Sequence, residues 1–266
     1  MSLSMRKRTP MQIQRAVLFA LLMRELKTRF GGKLVGLFWV LFEPVANIYI
    51  LLFIRSVLRT RVLGPTIEYP VYHVVAMIPY FVFRSCWFRT MEAVNGNAGL
   101  FSYRQVRPMD AMIARSALES YIYMFVFIVV LGTLAWFGMK FLPDDPLLFA
   151  ECWVVNILLG FGLGEVCMVL THGKPNAKTF VRLMSMPLYL LSGILIPLKG
   201  FPPDVLYWLM WNPTASLVEM ERKAYYTEYT PVTGASLGYA FMFALVLLAS
   251  GHMLYRLNRL KLLRRG

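Results

Sequence analysis

The sequence predicts an all-α polytopic membrane protein: an N-terminal amphipathic interface helix, six transmembrane helices, and a re-entrant helical hairpin between the fifth and sixth. Of the 266 residues, 58% are hydrophobic and only 16% are charged, against about 45–50% and about 25% in a soluble domain. A soluble surface made from so few charges would expose large apolar patches, a difficulty that a bilayer removes by solvating them. The apolar residues also fall into runs of bilayer-spanning length, and Lys and Arg gather at the ends of those runs.

The whole chain, 1–266, reads as one transmembrane domain. Residues 10–30 form the interface helix: Ile13, Ala16, Val17, Ala20, Leu21 and Leu26 recur at three- and four-residue steps, and Arg15, Arg24, Lys27 and Arg29 supply charge. A segment so divided lies in the membrane interface rather than crossing it. Arg6-Lys7-Arg8 leads into this helix and not into a short apolar core with a small-residue cleavage site, so no cleavable signal peptide is expected.

Five spans are predicted within 34–198. The first runs from Leu34 to Phe53 and contains Glu43-Pro44; the second runs from Pro70 to Phe88, the third from Ile113 to Met139, the fourth from Leu147 to Leu170. The fifth, Phe180 to Leu198, is interrupted by Pro187 and ends at Pro197. In the fourth, Gly160 and Gly164 with Gly162 between them form a small-residue pattern suited to close helix packing. The sixth span is Leu237 to Leu254, followed by a tail, 255–266.

The connection 199–234 is too apolar for a plain loop. Phe201-Pro202-Pro203, the run Leu206-Tyr207-Trp208-Leu209-Met210-Trp211 and Asn212-Pro213 describe a short stretch with proline breaks on both sides. That pattern predicts re-entrant half-helices, whose irregular backbone is tolerated at membrane depth only when buried in protein or lining a water-filled cavity.

Orientation follows from Lys and Arg. Twenty lie before the first span, between the second and third, between the fourth and fifth, and in the tail, against seven on the opposite side, with Arg84 inside a span. The positive-inside rule then places both termini in the cytoplasm.

The net charge of +14 does not point to nucleic acid, because no aromatic-interleaved basic groove, zinc-finger spacing or glycine-rich phosphate motif accompanies it. Gly32-Lys33 and Gly173-Lys174 lack the remaining residues of a P-loop, so ATP is expected on another subunit. His73, His172 and His252 are scattered, which excludes an obvious metal site, and Cys86, Cys152 and Cys167 sit singly in apolar runs. No cofactor is expected on this chain.

Charges within membrane segments are costly and become functional candidates. Arg84 follows Tyr80 and Phe81 deep in the second span; Glu43, Glu119, Glu151 and Glu165 also lie in or near spans. Glu119 is expected to pair with Arg115 at the four-residue helical step. Aromatic residues, Trp39, Phe42 and Tyr80 among them, crowd the first two spans; their rings suit either sugar stacking or core filling. An intramembrane glycosyltransferase using Glu119, Asp144, Asp145 or Glu165 is the reading from another class, but no clustered acidic pair on a cytoplasmic loop supports it.

Three stretches resemble the permeases of bacterial capsular-polysaccharide ABC exporters, and the wider group that exports O-antigen and teichoic acid. They are Arg24 to Pro44 (RELKTRFGGKLVGLFWVLFEP), Asn95 to Ser120 (NGNAGLFSYRQVRPMDAMIARSALES) and Leu209 to Tyr226 (LMWNPTASLVEMERKAYY). The resemblance implies a bacterial inner-membrane homodimer around a polymer channel, with two ATPase subunits carrying ATP and magnesium. It implies further partners in periplasmic and outer-membrane export proteins, and a long, often acidic, lipid-linked polysaccharide as cargo. It places a coupling helix for the ATPase within 95–107, where Asn95, Leu100, Phe101, Tyr103, Arg104 and Arg107 would make the contact. The interface helix, with Arg24, Glu25 and Arg29, would be a second contact. An acidic cargo would make Arg84, Arg55, Arg59 and Arg61 sensible path residues, beside Trp39, Phe42 and Tyr80. O-antigen, teichoic acid or a hydrophobic drug is the alternative cargo.

Overall fold

A computed structural model describes residues 9–30, 34–57, 67–96, 99, 101 and 105–263, and among these the chain is helical, with no strand. The helices are α1 (Pro10–Phe30), α2 (Leu34–Val57), α3 (Tyr69–Met91), α4 (Ala93–Gly96), α5 (Pro108–Trp136), α6 (Pro146–Leu170), α7 (Pro175–Leu190), α8 (Pro203–Leu209), α9 (Pro213–Tyr225) and α10 (Leu237–Leu263). Proline opens α5, α6, α7, α8 and α9 within their first two positions, where its missing N–H costs nothing and its fixed φ suits the helix.

Among the described residues, four helices are long and apolar enough to cross a bilayer: α3, α5, α6 and, over Leu237–Arg259, α10. The expected first and fifth spans are also helical but fall outside this group. The apolar part of α2 runs Leu41–Ile54, and α7 has 16 residues, short of the roughly 20 that a bilayer core requires.

The predicted fifth span, α7, ends earlier than the sequence predicts. Pro187 lies inside α7 rather than interrupting it, as neighbouring helices permit in membranes. The chain turns after Leu190, and Gly193 takes φ +78°, a conformation that side-chain-bearing residues rarely adopt. The tail also departs from expectation: α10 continues past Leu254 to Leu263 as one helix.

The core is built around α3. Val71 to Tyr80 are buried without a break, so this half of the helix is enclosed by protein on every side. It packs on α5, α6 and α9, while α6 also packs on α10. Glycines set the spacing. A methyl on Gly160 would press on the Phe83 carbonyl oxygen of α3, one on Gly164 would meet Thr90, and one on Gly162 would lie 2.9 Å from the Leu248 nitrogen of α10. One stretch of α6 thus approaches two helices on two faces, the close packing expected of small residues.

Between α7 and α10, α8 and α9 form the expected pair of short helices, joined at Asn212, whose side chain accepts from the Thr214 N–H as a cap. The two differ in environment. No residue of α8 is buried, whereas Ala215, Leu217, Val218, Glu219, Arg222 and Tyr225 of α9 are enclosed against α3, α6 and α10.

Candidate functional site

At the C-terminal end of α3 four helices are joined by charge. Glu119 of α5 is 3% exposed and takes two guanidinium groups: Arg89 of α3, whose Nε donates at 2.8 Å, and Arg29 of α1. One turn earlier on α5, Arg115 donates from Nε to Glu25 of α1 at 2.8 Å, and from Nη1 to the Glu92 carbonyl at 3.1 Å. Glu92 also pairs with Arg182 of α7. Gln14 donates to Asp110, so α1 runs parallel to the start of α5, with Gln14, Glu25 and Arg29 facing Asp110, Arg115 and Glu119.

The expected Arg115–Glu119 pair is therefore not made. Both side chains reach to other helices, where each meets an opposite charge without folding back along α5. A four-residue pair on one helix would contribute only about 0.2–0.5 kcal/mol, so little holds the two side chains together along α5. No sequence signal marks these partners, which lie 30 and 90 residues away.

The segment 95–107, expected to meet an ATPase, begins beside this network. Glu92 ends α3 and α4 follows as a single turn. The Arg115 guanidinium fills the space next to Gly96, where a side chain would come within 2.5 Å of Nη2. Asn95 is exposed; Phe101 is half-buried and packs inward on the protein's own cluster rather than standing free as an anchor. Arg107 caps α5, its backbone N–H donating to Asp110 at 3.0 Å. Leu100, Tyr103 and Arg104 lie outside the described residues.

Above the network a cleft of about 600 Å³ opens, lined by Arg29, Arg84 and Arg89 with Glu43, Asn47 and Tyr123. Arg84 is exposed, its guanidinium 5.5 Å from the Phe88 ring centre. Three guanidinium groups face one cleft carboxylate, Glu43, because Glu119 lies beneath and already serves two of them. Such a surface can hold an anion through charge-assisted hydrogen bonds.

The other expected path residues are placed differently. Tyr80 is 1% exposed, its hydroxyl donating to the Ser185 carbonyl at 3.3 Å and its ring 5.2 Å from that of Tyr189; it forms the floor behind the cleft and not its surface. Trp39 and Phe42 lie on α2, exposed, with ring centres 5.9 Å apart. The side chain of Arg55, and Arg59 and Arg61 altogether, lie outside the described residues. On α1, Arg24 is exposed while Glu25 and Arg29 turn inward.

The sequence of residues 16–226 matches the family model described as the ABC-2 type transporter. The chain belongs to this ABC-2 family. It is 36% identical to a polysialic acid transport protein, KpsM, of Escherichia coli, over 94% of this chain and 96% of that protein. It is 28% identical to CtrC, a capsule polysaccharide export inner-membrane protein of Neisseria meningitidis, over 80% of each chain. BexB of Haemophilus influenzae, described in the same words, is 25% identical over 90% of this chain and 89% of that protein.

The ABC-2 match runs from within α1 to the end of α9, so it takes in the ion pairs of the network and the cleft. Within this ABC-2 chain the residues that the sequence alone did not single out are Arg89, Glu92 and Arg182. A positive-inside count absorbs Arg89 and Arg182 as topology signals and gives no weight to Glu92.

A second polar cluster lies at the opposite end. Arg222 and Glu219 of α9 are both fully buried and 3.2 Å apart. Glu219 also accepts from the Tyr229 hydroxyl at 2.9 Å and the Val232 N–H at 3.0 Å. Arg222 donates to the Gly193 carbonyl at 2.9 Å and stacks over Tyr72 at 3.9 Å. The turn that ends α7 is thereby fastened to α9 and α3.

Proposed function

We propose that this chain is the channel-forming permease subunit of an ATP-driven exporter of lipid-linked, acidic capsular polysaccharide. The observation that carries the reading is the end-to-end likeness to capsule export inner-membrane proteins, within a family of transporter membrane subunits. The cleft supports it: three arginines at the cytoplasmic end of the helices suit the phosphate and carboxylate groups of an acidic glycolipid.

In this reading two copies of the chain enclose the path, and two separate ATPase subunits bind ATP and magnesium beneath them. The chain contributes no catalytic group; Gly32-Lys33 and Gly173-Lys174 lack the glycine and hydroxyl of a P-loop. The segment 95–107 docks on the ATPase, with α1 as the second contact. Closure of the ATPase pair moves that segment, and the ion pairs of Arg115, Glu92 and Glu119 carry the displacement to α1, α3, α5 and α7. Arg84 and its neighbours receive the cargo, and the paired helices α8 and α9 line the far exit as a re-entrant hairpin. Periplasmic and outer-membrane export proteins accept the polymer beyond.

Six spans, with both termini in the cytoplasm, fit the distribution of twenty basic residues against seven. On this reading α2 and α7 complete their crossings against the second copy.

Deleting the gene and typing the surface glycans tests the cargo: capsule should vanish while O-antigen persists. Purifying the tagged chain from membranes should bring down an ATPase carrying a P-loop. A chain that exports nothing and recovers no ATPase would remove the proposal.

A further inference from the structure

α4 is a single helical turn, too short to hold its own conformation, since helix nucleation is unfavourable and a lone turn gains little hydrogen bonding. Its position must be imposed by neighbours. Arg115 does so on one side, through the Glu92 carbonyl and the space beside Gly96. On the other side lie the last turns of α10.

The helix α10 continues two turns beyond the predicted end of the membrane span. Tyr255 is 6% and Leu262 4% exposed; seven residues apart, they share one helix face. Arg256 and Arg259 are exposed. Tyr255 and Leu262 form an apolar cluster with Ala93 and Val94 of α4, Met112 of α5 and Met168 of α6, closed over by Phe101. This cluster is separate from the main core. A solvated tail would have no reason to keep an apolar face at this spacing, nor to bury it on this segment.

We propose that the end of α10 is a brace for the coupling segment, with Leu262 and Tyr255 as positioning residues. They hold Ala93, Val94 and Phe101 against α5 and α6, so that displacement of the segment moves those helices instead of bending α4. The inference rests on the reading of 95–107 as the ATPase contact.

Leu262→Asp tests it by placing a carboxylate in the cluster, with Leu262→Met as the conservative control and Leu262→Ala as a milder variant should the first fail to fold. The full chain is assembled with its ATPase in vesicles of phosphatidylethanolamine and phosphatidylglycerol. Glycan exported and ATP hydrolysed are then measured together. A brace predicts that the assembled Leu262→Asp complex still hydrolyses ATP, while glycan exported per ATP falls about tenfold, within the usual range of coupling between distant sites. The Leu262→Met variant should export normally. A merely structural role would lower the amount of complex and leave that ratio unchanged, which overturns the proposal.

Hydrogen exchange at the Ala93 and Val94 amides supplies a readout independent of transport. Exchange should quicken in the Leu262→Asp or Leu262→Ala chain, and unaltered protection also overturns the brace. If the wild-type complex hydrolyses ATP but exports no glycan, the proposed function fails, and the exchange result still decides whether α10 holds α4.

Discussion

Glu119 and Arg89 lie 30 residues apart, yet the carboxylate accepts the Arg89 Nε–H at 2.8 Å from a site 3% exposed. Arg29 reaches the same carboxylate from a third helix. One acid thus pairs with two cations where α1, α3 and α5 meet, and its removal leaves both without that partner.

Glu119→Gln should therefore loosen α1 from the bundle. Breaking a fully buried ion pair typically costs about 3–5 kcal/mol. Arg89 is 45% and Arg29 23% exposed, so both can recover water and the loss should be smaller, about 2 kcal/mol. Thermal unfolding in detergent measures it, and proteolysis within α1 should accelerate in the variant. Unchanged unfolding would mean that packing alone holds α1.

At the opposite end, Arg222→Ala should cost about 3–5 kcal/mol, because Glu219 would remain buried with its charge uncompensated. Joint replacement, Glu219→Leu with Arg222→Met, should recover part of that loss, since apolar residues of similar volume need no compensation. A double variant no more stable than Arg222→Ala would show that the cluster is needed for its shape.

Gly160→Ala should be the most disruptive small change in α6. The added methyl meets a backbone carbonyl, which cannot move aside like a flexible side chain, and overpacking of this kind costs about 1–3 kcal/mol. Gly132→Ala, where nothing lies within 4 Å, should be neutral or slightly stabilising. Yields of folded protein after detergent extraction distinguish the two.

The loop between α5 and α6 should respond to acid. Asp144 accepts from Lys140 Nζ at 2.7 Å and from the Thr227 N–H and hydroxyl. Lys140 first, then Thr227, holds its carboxyl below the ordinary value of 3.8. A depressed folded-state value stabilises the fold above the unfolded value, and that contribution fades as pH falls below about 4. Between pH 7 and 5 this link should be constant. Asp144→Asn should remove the acid-dependent part; an identical stability curve below pH 4 would assign the effect elsewhere.

Arg84→Ala should reduce export about tenfold or more while complex assembly and ATP hydrolysis persist, in keeping with the loss of one charged hydrogen bond of about 1.5–3 kcal/mol. Arg84 has no carboxylate partner among the described residues, so the change should scarcely alter stability. Normal capsule in that variant would take Arg84 off the cargo path.

Length of apolar runs, the placement of Lys and Arg, and proline and glycine positions determined the membrane class, the helical fold, the order of the helices and the small-residue face of α6. These follow from local chemistry: backbone groups in lipid must be satisfied within the segment, so a long apolar run has one solution. The sequence also drew attention to Arg84, Glu43, Glu119 and Arg29, because a charge in an apolar run is visible without a fold. Tertiary structure decided which charges meet. Arg115 turned from Glu119 to Glu25, Tyr80 went to the interior, Phe101 faced inward, and the tail became a packed helix. Ion-pair partners and buried faces depend on distances between segments far apart in the chain, and residue spacing along one helix carries no information about them.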